Sequence, residues 1–240
     1  MKLLVRILGA ATIVSLTVLV GFALFVVPPD VIQGEYARLI YVHPATAWVT
    51  YTAFGICAAA SALNLIPRTR SMFWDTLAGA AAEVGVVFCG LALITGAIWG
   101  RPVWGVWWTW DARLTSTALL FTLFVGYLAL RRSSGPDEKR ARRSAIAALI
   151  AIIDVPIVHF SVEWWRTLHQ GRTLLRPDPT IEGVQLFTML WSFLALSLLF
   201  AWILVHRFRV ERLQRQMETA ELDRAIILRR KEIKRAGVMQ

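Results

Sequence analysis

Two histidines, His43 and His169, and the run Trp104-Gly105-Val106-Trp107-Trp108-Thr109-Trp110-Asp111 are the residues of this chain whose types most suggest chemistry. A neutral imidazole is the commonest protein ligand for a metal. Four tryptophans within eight residues present a broad apolar surface suited to a flat partner. Membrane-anchoring tryptophans, the other use of this residue, are spread among helix ends. Asp111 and Arg113 add a polar edge, and a guanidinium can grip a carboxylate with two parallel hydrogen bonds. These types together suit haem, a flat iron macrocycle that takes axial histidines and carries two propionates.

Membrane helices must position these residues. The chain has 240 residues, 57% of them hydrophobic, and a mean hydropathy of +0.56, which is high for a soluble domain. A spanning helix needs about 20 mostly apolar residues to cross roughly 30 Å of hydrocarbon. Six stretches qualify: 7–27, 44–66, 74–98, 115–130, 144–162 and 183–206. The fold class is therefore all-α, a polytopic membrane protein with six transmembrane helices. A cytoplasmic N-terminus places 20 of the 26 Lys and Arg residues inside and also makes the C-terminus cytoplasmic. The net charge of +10 is thus a signal of topology and excludes nucleic-acid binding as its purpose. The first stretch lacks a small-residue cleavage site and reads as a retained anchor.

In that topology residues 28–43, 99–114 and 163–182 share the outer side, bringing His43, the tryptophan loop between helices 3 and 4, and His169 to one face. Among the outer arginines, Arg101, Arg113, Arg166 and Arg172 can meet a propionate, with Arg113 best placed beside the Trp-Asp pair. His159, inside span 5, and His206, at the end of span 6, read as structural. Cys57 and Cys89 read as packing residues. With no C-x-x-C-H, haem attachment is expected to be non-covalent. No G-x-x-x-x-G-K-[ST] loop for ATP is present. Glu83 and Asp154 fall near mid-membrane with no basic residue at matching depth, so one or both are expected to be protonated and hydrogen-bonded across helices, with a proton or substrate path as the alternative. Residues 207–240 carry Val210, Leu213, Met217 and Ala220 at helical spacing, an amphipathic cytoplasmic tail to the membrane domain of 1–206. Two other readings stay open: a membrane electron-transfer cytochrome, and an enzyme on a lipid-linked sugar with Asp111 as acid or base.

The segment from Trp104 to Ser116 looks like the tryptophan-rich WWD signature of haem-handling proteins in cytochrome c maturation. Adding Tyr41-Val42-His43-Pro44, Val162-Glu163-Trp164-Trp165 and His169-Gln170-Gly171, the chain resembles the haem exporter protein C (CcmC) family over nearly its whole length. The common family form has Val-Pro after the first histidine, whereas Pro44 follows His43 directly here. The resemblance implies a multi-pass protein of the bacterial inner membrane. It implies haem b held non-covalently at the periplasmic face, with His43 and His169 as axial ligands. Trp104, Gly105, Trp107, Trp108, Trp110, Asp111, Arg113, Trp164 and Trp165 would surround it. The family's partners are the haem chaperone CcmE as acceptor, the small membrane protein CcmD, and the ABC transporter subunits CcmA and CcmB. The work implied is binding and hand-over, with no enzymatic turnover.

Overall fold

The computed structural model describes residues 2–133, 137–171 and 181–235. Among these residues every regular element is helical: α1 (Lys2–Gly21), α2 (His43–Leu65), α3 (Met72–Trp104), α4 (Ala112–Arg131), α5 (Asp137–Ala151), α6 (Asp154–Trp164) and α7 (Gly183–Arg235), with a π turn at Phe22–Val26 and a 3-10 segment at Glu35–Tyr41. Among the described residues six stretches are long and apolar enough to cross a membrane, as the hydropathy implies. Arg172 lies outside the described residues.

The fifth span is made of two helices. Pro156 has no N–H for the Ile152 carbonyl, and its ring disfavours the preceding turn. The chain breaks at Ile152 and Ile153, and the Val155 N–H turns back to the Ile152 carbonyl at 3.1 Å. Asp154 sits buried at this break; no basic partner faces it among the described residues, and its Oδ2 has no hydrogen-bond partner.

The centre of the bundle is the α2–α3 pair, whose contact face is rich in small residues such as Ala53, Ala60, Ala78, Ala81 and Ala82. Small side chains let backbones approach closely, the usual basis of helix packing in lipid. Phe54 and Phe124 stack at 3.6 Å across this centre, and Gly85 makes room for Phe54. Cys57 and Cys89 are buried and free, as packing residues should be. α1 packs along α7 at the periphery. At its far end Arg38 donates to the Ala23 and Val27 carbonyls, satisfying the last turn before Pro28-Pro29.

α7 does not stop where its apolarity does. It runs 53 residues, about 80 Å, well beyond a hydrocarbon layer of roughly 30 Å. His206, expected to end span 6, lies within this helix with its ring against Trp202. The first turns past it are tied into the bundle. Arg207 makes a two-pronged pair with Glu83 of α3, and Arg215 donates to Asp75 of the same helix at 2.5 Å. The helices run antiparallel, so moving eight residues back on α3 and eight forward on α7 carries one pair into the other. Arg131 at the end of α4 joins Asp75 (2.6 Å) to Glu211 (2.6 Å). The expectation that Glu83 lacks a cation at its depth is therefore corrected. The basic tail begins inside the bundle, and Arg207 reaches the carboxylate from the next helix.

Candidate functional site

α2 begins at His43, and Pro44 occupies its first turn, where a missing N–H has no consequence. The His43 ring lies against α3 with Nδ1 3.1 Å from Thr95 Oγ1. The Thr95 hydroxyl gives its single hydrogen to the Leu91 carbonyl at 2.7 Å. With its hydrogen placed there it accepts from His43, the tautomer that carries the proton on Nδ1 and leaves the Nε2 lone pair free. Gly96 is what lets the ring sit there: a Cβ at that position would be 3.0 Å from His43 Cε1. Trp99 stands edge-on to His43 with centroids 6.0 Å apart, and its indole N–H donates to Gln33 Oε1 at 2.8 Å. One turn further, Trp104 folds back over Gly100, where a Cβ would lie 2.8 Å from its ring.

α3 ends at Trp104 through Gly105, whose left-handed backbone (φ 78°) glycine adopts without strain. α4 then starts under the cap of Asp111. Its Oδ1 accepts the Leu114 N–H at 2.7 Å, and its Oδ2 accepts the Leu168 N–H at 3.2 Å. One carboxylate thus clasps the tryptophan loop to the loop carrying His169. His169 stands edge-on to Trp104 at 4.9 Å between centroids. Its Nδ1 is 3.7 Å from Asp111 Oδ2, too long for a hydrogen bond, and is buried without a partner. Burial holds the His169 pKa below the usual imidazole range. The Arg113 charge lowers it further, and Asp111 opposes both.

His43 and His169, 126 positions apart in the chain, come onto one cavity of about 1280 Å³, walled also by Trp99, Trp104, Trp108 and Arg113. This is larger than the roughly 300–1,000 Å³ of most small-molecule sites. A family model described as heme exporter protein C matches residues 1–223. This chain belongs to the haem exporter protein C family. It is 40% identical to heme exporter protein C of Escherichia coli K12 over 206 residues, 84% of this chain and 81% of that protein. The corresponding Bradyrhizobium diazoefficiens protein is 36% identical over 220 residues, 91% of this chain and 82% of its own length. A putative cytochrome c biosynthesis ccmC-like mitochondrial protein of Arabidopsis thaliana is 36% identical over 171 residues, 71% of this chain and 64% of its own.

Of the residues expected to serve a member of this family, His43, His169, Trp104, Trp108 and Arg113 line the cavity. Asp111 and Gly105 stand behind it, as loop clasp and helix terminator. Trp107, Trp110, Trp164 and Trp165 do not line it; they are exposed, Trp110 at 82%. Arg113 holds the His159 carbonyl (2.8 Å) and the Ser161 hydroxyl (3.3 Å), which uses two of its donors. Arg101 folds onto the Gly105 carbonyl, and Arg166 is exposed. Sequence reading missed Thr95, Gly96, Trp99 and Gln33, and also Tyr51 of α2, which lines the cavity. The available signal was helical register: Thr95, Gly96, Trp99 and Gly100 are three to four residues apart on α3 and share a face.

Proposed function

We propose that this protein binds haem b non-covalently between His43 and His169 at the periplasmic face of the bacterial inner membrane, and passes it to the chaperone CcmE for cytochrome c maturation. The observation that carries the reading is the convergence of the two imidazoles on one apolar cavity. Haem is cargo here, and the residues suit it. Thr95 leaves His43 Nε2 free for iron. The orphaned His169 Nδ1 faces Asp111; closing that gap by less than an ångström would make the hydrogen bond that orients a metal-bound histidine. Gly96 and Gly100 seat an imidazole and an indole where any larger residue would intrude. Trp104 and Trp108 supply apolar wall, and the remaining Arg113 donors suit a propionate.

The periplasmic orientation draws on the basic residues, which gather at the other end of the bundle. The exposed Trp107, Trp110, Trp164 and Trp165 form an aromatic rim on which CcmE can meet the cargo. CcmD, CcmA and CcmB remain the membrane partners that the family suggests. An electron-transfer cytochrome in a helix bundle takes its ligands from facing helices. Here one ligand starts a helix and the other lies on a loop, which suits a cargo that must leave. No bond is made or broken in the macrocycle, so no turnover chemistry is needed.

The purified protein should show a haem Soret band. His43→Ala and His169→Ala should each weaken haem retention on the order of tenfold or more. Retention equal to wild type in both variants would exclude the axial assignment.

A further inference from the structure

We propose that His159 is a third imidazole of the cavity, one that takes haem as it slides in sideways from the lipid before His43 and His169 receive it. This rests on haem being the cargo. His159 lies on α6 five residues before Trp164, roughly 7–8 Å inside the helix end, and its ring meets α2 at Tyr51, eight residues or about 12 Å further along that helix than His43. It lines the same cavity. Its ring meets Tyr51 of α2 edge-on at 6.2 Å and Phe160 at 4.9 Å, yet it is exposed and has no hydrogen-bond partner among the described residues. A polar ring within a span is costly unless it is partnered or used, so an unpartnered one facing a cavity points to a ligand. Its backbone, by contrast, is fixed, because Arg113 grips the His159 carbonyl at 2.8 Å.

The break at Pro156 gives the opening. Below it α5 packs on both α2 and α4, whereas the main partner of α6 is α4. α6 meets α2 through the His159–Tyr51 contact while α7 walls the same cavity, and residues lining the cavity there are themselves exposed: Trp48 at 50%, Leu190 at 54% and Leu194 at 46%. Leu194 is eleven residues into α7, about 16 Å from its start, which is hydrocarbon depth. The opening therefore meets lipid. A macrocycle with an apolar body fits that route, and the cavity's volume leaves space for a first and a final position. The step is ligand exchange at iron. The bond to His159 forms on arrival and breaks as His43 and His169 bind, with no change in oxidation state and no co-reactant.

The test uses the full-length protein in lipid nanodiscs, mixed with vesicles carrying haem, with the Soret band followed in time. His159→Ala and His159→Gln should load about tenfold more slowly than wild type or worse, with an unchanged final spectrum that also reports intact folding. Leu194→Trp, which narrows the opening, should slow loading in the same way. Wild-type rates in both His159 variants would overturn the proposal. So would a final spectrum that loses a ligand, since His159 would then be a resident axial group. A wild-type protein that never develops the band would remove the haem reading itself, and this one with it.

Discussion

Each of the two histidines proposed as axial ligands is addressed from its Nδ1 side, by Thr95 for His43 and by Asp111 for His169. In the proposed site that arrangement would keep Nε2 for iron, and it makes the surrounding charges matter. Burial and Arg113 lower the His169 pKa, so the ring is neutral at pH 7 and ready to ligate. The sign follows: an unfolded histidine titrates near 6.5, so as pH falls through about that value the unfolded chain takes up a proton that the folded site refuses. Stability then drops, and the loss levels off only below the lowered folded value. Haem retention should accordingly stay flat down to a pH below that of a free imidazole. Arg113→Gln should move the acid midpoint upward, because a cation that disfavours protonation is gone. Asp111→Asn should move it downward. A pH titration of the Soret band in the two variants checks this, and shifts in the same direction would contradict it. The histidines, Trp104, Trp108 and Arg113 were legible because the spans put their loops on one side. Thr95 and Gly96 were not, because nothing in an apolar helix marks which face an imidazole from elsewhere will meet.

Between elements, the charges at the basic end separate into two classes. Asp75 is 3% exposed and bound by both Arg131 and Arg215, whereas Arg70 and Glu138 meet at 3.2 Å on the surface. Removing one partner of a buried pair costs about 3–5 kcal/mol, because it leaves the other charge uncompensated. An exposed pair contributes about 0–1 kcal/mol. Asp75→Ala should therefore destabilise the protein by about 3–5 kcal/mol and make the α7 extension sensitive to protease. Arg70→Ala should do neither. Thermal unfolding in detergent and limited proteolysis measure the two effects, and equal behaviour of the variants would refute the distinction. Hydropathy revealed six spans because length and apolarity are local properties. It did not reveal the ladder, since Glu83–Arg207 and Asp75–Arg215 come from distant segments and depend on the register of two antiparallel helices. A helical tail was legible in the spacing of Val210, Leu213, Met217 and Ala220, but not that it continues span 6 without a break: apolarity ends at His206, while helix-favouring Glu, Gln, Arg and Leu carry the helix on. Pro156 was a visible sign of the break in span 5.

At the scale of the molecule, the bundle has two different ends. One is closed by ion pairs that fasten α3, α4 and α7. The other opens into the cavity, where the α2 start, the tryptophan loop and the loop after α6 meet. Rigid anchoring at one end, with one histidine at a helix start and the other on a loop at the other end, suits the proposed work of holding a cargo and then surrendering it. The central claim is that one iron is bound by both histidines. Pulsed electron paramagnetic resonance on ferric haem-loaded protein with ¹⁵N-labelled histidine tests it most directly. A low-spin centre coupled to two histidine nitrogens, reduced to one in either His43→Ala or His169→Ala, is the expected result. A single coupled nitrogen in the wild type, or a spectrum unaltered by both substitutions, would contradict it.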